Sequence, residues 1–233
     1  MRVIRNERRI RMLSSIGQYM TLAGLAALVI GLVISVVRPE WLVLMLVSMT
    51  LGFTFSTVGG FFSGRYVGPL AHHAALVEIL KGLDHRHVLF QYVLPVPHVL
   101  LEPGGCTVFV VKPQEGRVSY EGGKWKHHQR GKFFRQLAGQ EGIVAPHTEA
   151  EQQVRKLERY LDKLLPGVEV PVRATIVFVS PDVTLEADDS PVPAFYRKKV
   201  KAWLRGPGSL KPLPADVHGQ LTEALGANQE EGV

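Results

Sequence analysis

The chain has 233 residues, 46% of them apolar, and its 27 lysines and arginines against 21 aspartates and glutamates give a formal net charge of +6. The apolar residues are segregated: residues 16–37 and 41–64 carry no charged side chain, which argues against a wholly soluble protein. Cys106 is the only cysteine, which excludes a secreted disulfide scaffold, and Arg2, Arg5, Arg8, Arg9 and Arg11 supply most of the excess charge, so the balance alone does not mark a nucleic-acid binder.

The two uncharged stretches each exceed the roughly 20 helical residues that cross a hydrocarbon core of about 30 Å. Arg38-Pro39-Glu40 is their whole connection, so the expectation is a tight antiparallel transmembrane hairpin over residues 16–64, with Trp41 and Tyr19 at interfaces. A cleaved leader is disfavoured, because no Ala-x-Ala site precedes Arg38 and a second apolar stretch follows at once. Residues 1–15 read as a basic N-terminal tail held in the cytoplasm, which places both termini there and makes the chain a two-span protein of the cell membrane. Small residues recur at Ala23, Ala27, Gly31 and Ser35, and at Ser48, Gly52, Ser56 and Gly60. Such ridges let helices approach closely, within the hairpin or in a homo-oligomer. The lipid bilayer is the first expected partner.

Beyond residue 64 the pattern becomes that of an α/β domain, expected over 65–212. Pro69 is placed to begin a helix carrying Ala75, Leu76, Ile79, Leu80 and Leu83. Strands are expected at 88–93, 98–101, 106–112 and 117–120, with Pro103-Gly104-Gly105 and Gly122-Gly123 as turns. Residues 124–147 read as a long loop or a short helix. An amphipathic helix follows over 148–165, stopped by Pro166-Gly167, then a buried strand over 172–179 and a helix over 194–204. Residues 213–233 read as a weak helix and a disordered tail. This order implies a mixed sheet between helices.

The stretch Pro97-His98-Val99-Leu100-Leu101-Glu102-Pro103-Gly104-Gly105, running on through Cys106 to Val110-Val111-Lys112, resembles the central motif of the nuclease-related domain (NERD) family. That resemblance, over roughly residues 70–205, implies a restriction-endonuclease-like fold. In the family an Asp and a Glu hold a divalent metal beside a Lys. Here Pro97 and Val110 stand at the acidic positions, and Lys112 is the only retained residue of the set. Side chains on a strand alternate, so Val108, Val110 and Lys112 share a face. A valine offers no oxygen to a hard cation, and the metal-dependent chemistry is expected to be lost. The family's Asn-Pro-x-x-Gln is replaced by His147-Thr148-Glu149-Ala150-Glu151.

No metal or cofactor is expected: the nine histidines lack ligand spacing, and Cys106 reads as a small core residue. Residues 124–135 carry Lys124, Lys126, Arg130, Lys132 and Arg135 with aromatics between them, a composition suited to nucleic acid or anionic lipid headgroups. Arg197, Lys198, Lys199, Lys201 and Arg205 form a second basic group. The functional expectation is a membrane-anchored NERD-like domain that binds or scaffolds without catalysis. The alternatives are a nuclease using displaced carboxylates (Glu115 or Glu121, which flank a strand and could swing inward, whereas Glu102 alternates to the face opposite position 97) and a domain contacting anionic lipid.

Overall fold

The computed structural model describes residues 1–128 and 142–226, and it divides into two units. Arg130, Lys132 and Arg135, and the tail expected to be disordered beyond residue 226, lie outside the described residues. One unit, Glu7–Ala71, is a helical pair: α1 (Glu7–Val37) and α2 (Leu42–Tyr66). Both helices are long and apolar enough to cross a membrane. The turn between them is the expected one, closed by Trp41 N donating to Arg38 O at 2.9 Å, with Arg38 and Glu40 paired at 3.5 Å.

The contact between α1 and α2 differs from the expected ridges. The buried positions are Gly17, Gly24 and Gly31 on α1, and Gly52 and Gly59 on α2. Ala23 points outward, and Ser35 is turned back onto its own helix at Leu32 O. A four-residue step advances about 40° round a helix, whereas seven residues fall back only about 20°, so a long contact follows the seven-residue spacing. The approach is close: a Cβ at Gly24 would lie 2.5 Å from Ser56 N, and one at Gly59 2.5 Å from Thr21 N. Ser48 Oγ donates to Ala27 O at 2.7 Å, satisfying a hydroxyl that lipid would leave unpaired.

The second unit contains a six-stranded sheet in the order β1 (Arg2–Arg5), β2 (Val88–Gln91), β3 (His98–Glu102), β4 (Gly105–Lys112), β7 (Val172–Phe178), β9 (Ala194–Tyr196). Strands β2, β3 and β4 form an antiparallel meander, while β1 joins β2, β7 joins β4 and β9 joins β7, all in parallel. All strands but β3 therefore point the same way, and their carboxyl ends share one edge. A smaller sheet orders β6 (Lys124–His128), β5 (Gly116–Glu121) and β8 (Val183–Glu186).

Helices cover both faces of the large sheet. Helix α4 (Pro146–Leu164) lays Ala150, Leu157 and Leu161 against Val99, Val108, Val110 and Ile176, with Leu221 and Leu225 of the α6 region (α6, Ala215–Ala224) completing that layer. On the other face, α3 (His72–Leu80) and α5 (Val200–Arg205) cover Leu89, Leu100, Phe109 and Val177. Phe90, Phe109 and Phe178 are fully buried, each contributing about 1.5–3 kcal/mol. Pro146 starts α4, where its missing N–H is no loss. Lys201 Nζ and Arg205 Nη2 donate to Lys81 O (2.9 Å) and Gly82 O (2.7 Å) just past α3, where positive charge suits the helix end.

Several expectations are corrected. Residues 1–15 are no tail: Arg2–Arg5 is an edge strand, its Val3 and Ile4 packing onto opposite faces, and α1 begins at Glu7. Helix α3 starts at His72 rather than Pro69. Residues 124–128 are a strand, because Gly122 (φ +56°) and Gly123 (φ +78°) make a tight hairpin with β5. The helix expected over 194–204 begins with strand β9, since β7 offers Phe195 and Tyr196 a free edge to pair with, and turns helical only at Val200.

Candidate functional site

Lys112 ends β4 at the carboxyl edge of the sheet. The β3–β4 ladder ends at Val99 opposite Val108, two residues from both Pro97 and Val110, and Pro97 O accepts from Tyr92 N. Of the three positions singled out in the sequence, Val110 and Lys112 share the face of β4 that α4 covers. What Val110 and Lys112 meet there is not a ring of acids. Val110 is 1% exposed and belongs to the apolar layer under α4. The Lys112 ammonium, its side chain 4% exposed, donates to Glu149 Oε2 at 2.7 Å.

Glu149 sits in the first turn of α4, where a carboxylate is favoured by the helix dipole, and it accepts a second bond from Gln153 Nε2 at 3.1 Å. Aromatic side chains flank α4's start: Trp125 packs on Phe178 (5.9 Å between centroids) and donates Nε1–H to His147 Nδ1 at 3.0 Å, with Tyr120 against both. Lys112 is therefore a buried cation with one half-exposed counter-charge. Among the described residues no group of three or more His, Cys, Asp or Glu is arranged to hold a metal.

Glu102 lies on the opposite face of the sheet, as its alternation with position 97 implies, and Glu115 and Glu121 are engaged elsewhere. Glu102 lies on the α3 face with Thr107 and Arg173: Thr107 Oγ1 donates to Glu102 Oε1, and Arg173 donates to Thr107 Oγ1 at 2.8 Å and to Glu102 at 3.1 and 3.3 Å. The Arg173 guanidinium also stacks 4.5 Å over Trp203. Glu121 takes Lys126 Nζ at 2.7 Å on the outer face of the small sheet. Glu115 presents its carbonyl to His127 Nε2 at 2.7 Å.

Of the basic segment, Lys124 and Lys126 are both on the solvent side of β6, and Lys126 is already neutralised. The hairpin places Glu121 directly across from Lys124, a pairing available from the two-glycine turn but not from the segment itself. Trp125 is committed to packing and is not a free stacking surface. The sequence reading missed Glu149 as the partner of Lys112.

No protein-family model, curated protein or solved structure matches this chain.

Two further titratable groups are perturbed away from this site. Burial, with Glu102 nearby, pushes the Cys106 thiol up to about 12. Arg86 donates to Asp84 at 2.7 and 3.0 Å, and with His87 at 2.6 Å it holds that carboxyl well below the usual range.

Proposed function

We propose that the chain is a membrane-anchored binding module whose α/β unit has a NERD-like, restriction-endonuclease-like fold with its metal-dependent chemistry silenced. The observation that carries this reading is the Lys112–Glu149 pair beside Val110: the one retained motif lysine is engaged by a helix carboxylate, and the neighbouring acidic position is hydrocarbon inside the core.

Anchoring through α1 and α2 is supported by their length and apolarity. Strand β1 precedes the helices in sequence and pairs with β2, which follows them. If both helices cross the bilayer, the chain returns to the side it left. The arginines at 2, 5, 8, 9 and 11 favour the cytoplasm as that side. A homo-oligomer built on the small residues would compete for the glycine faces that hold α1 to α2.

The test uses the full chain purified in detergent. Incubation with plasmid and single-stranded DNA in Mg²⁺ or Mn²⁺ is expected to leave the substrates intact. Metal-dependent cleavage lost in both Lys112→Ala and Glu149→Gln would instead establish a nuclease with a displaced carboxylate. A reporter enzyme fused after Val233 should be active in the cytoplasm, and activity outside would overturn the topology.

A further inference from the structure

Where β7 and β9 end, the structure holds a cavity of about 560 Å³ lined by Ser180, Val183, Thr184, Tyr196, Arg197, Lys198 and Lys199, among others. No lining residue is acidic. Arg197 is balanced by Glu78 at 2.8 Å, but Lys198 and Lys199 are exposed and form no ion pair among the described residues. Ser180 is 2% exposed and accepts from Asp182 N at 3.2 Å, Thr184 and Tyr196 add hydroxyls, and Lys199 lies 5.7 Å from the Tyr196 ring. Two unneutralised ammonium groups beside hydroxyl donors in a concave site suit a phosphate oxyanion.

This cavity opens at the sheet edge through which the α/β unit connects to the apolar helices. Asn6 follows the carboxyl end of β1 at that edge. His72 is there too, its ring 6.3 Å from that of His98, which pairs with Gln91 at the end of β2. With β1 and β9 at opposite sides of a six-stranded sheet, the cavity lies roughly 24 Å along the edge from Asn6.

We infer that this cavity is a binding site for the phosphate of an anionic lipid headgroup. The inference rests on the membrane-anchored reading. It gives the second basic group a division of labour: Lys201 and Arg205 close off α3, Arg197 ties the turn to Glu78, and Lys198 and Lys199 engage the lipid.

The test reconstitutes the full chain in nanodiscs of phosphatidylcholine alone or of phosphatidylcholine with phosphatidylglycerol, and reads acetylation of individual lysines by mass spectrometry. Lys198 and Lys199 should be modified about fivefold more slowly in the anionic discs, with Lys124 unchanged as the internal control. Thr184→Glu, at an exposed rim position, should remove the protection without unfolding the sheet. Equal rates in both discs would overturn the site. So would equal protection in neutral discs by soluble glycerol phosphate or by a DNA oligonucleotide, since the ligand would then not be lipid. Release of the chain from membranes by alkaline carbonate would overturn the anchor itself, whereas an embedded chain showing no protection overturns only the cavity's role.

Discussion

The Lys112–Glu149 pair makes an asymmetric prediction. Lys112 is the buried partner at 4% side-chain exposure, and Glu149 is 39% exposed. Glu149→Gln keeps the shape and an acceptor oxygen but removes the counter-charge, leaving a buried ammonium that water reaches only from the Glu149 side. Breaking a fully buried pair costs about 3–5 kcal/mol. Because Glu149 is partly solvated and water can approach from its side, we expect about 2 kcal/mol. Lys112→Met removes the costly buried charge and fills its space with an unbranched chain, while Glu149 rehydrates, so its expected cost is below about 1 kcal/mol. At roughly 2–4 °C per kcal/mol, Glu149→Gln should lower the melting temperature by about 4–8 °C and Lys112→Met by less than about 4 °C. The assay is thermal unfolding of the full chain in detergent followed by tryptophan fluorescence, because Trp125 packs beside α4. A larger loss in Lys112→Met than in Glu149→Gln would refute the claim that burial of the lysine sets the energetics.

Three further outcomes are expected. Gly24→Leu should loosen the helical pair by about 1–3 kcal/mol in the same melting assay, because its Cβ would fall 2.5 Å from Ser56 N; Ala23→Leu, on the outward side, should be neutral. Val110→Glu should cost about 3 kcal/mol or more, since it sets a carboxylate in the apolar layer under α4, and Mn²⁺ should not restore the melting temperature. Cys106 should resist a thiol reagent until the chain unfolds, as it is fully buried. Its folded pKa of about 12 lies above the ordinary 9.0, so the folded state keeps its proton longer than the unfolded one. Stability is then complete below about pH 9 and falls between pH 9 and 12, by up to about 1.4 kcal/mol per pH unit, and Cys106→Ala should flatten that decline in alkaline melting curves.

Long periodic or uniformly apolar segments were legible in the sequence. Helix α4 announces itself through Val154, Leu157 and Leu161 and the Pro166-Gly167 stop, and β4 and β7 through β-branched runs buried on both faces. Short edge strands were not. In β1, Val3 and Ile4 sit between arginines, and two apolar residues cannot be told from a basic tail until β2 is present to pair with them. In β9, Ala-Phe-Tyr has no periodicity of its own, and the neighbouring strand decides its conformation. The same limit applies at the site. Position 110 could be read as unable to hold a metal from its residue type alone. The partner of Lys112, 37 residues away on a helix, follows from no spacing rule and emerges only when α4 docks on the sheet.

Strand β1 carries a consequence for how the α/β unit can be handled. Its partner β2 is buried along its whole length, and removing residues 1–6 would strip His87 O and Gln91 O of the Arg2 N and Asn6 N donors and bare that edge of β2. A fragment cut after the second helix would therefore expose a sticky ribbon ready to recruit other copies. A soluble version would better be made by splicing residues 1–6 onto His72 with a flexible linker, which keeps the outermost strand while discarding the greasy hairpin.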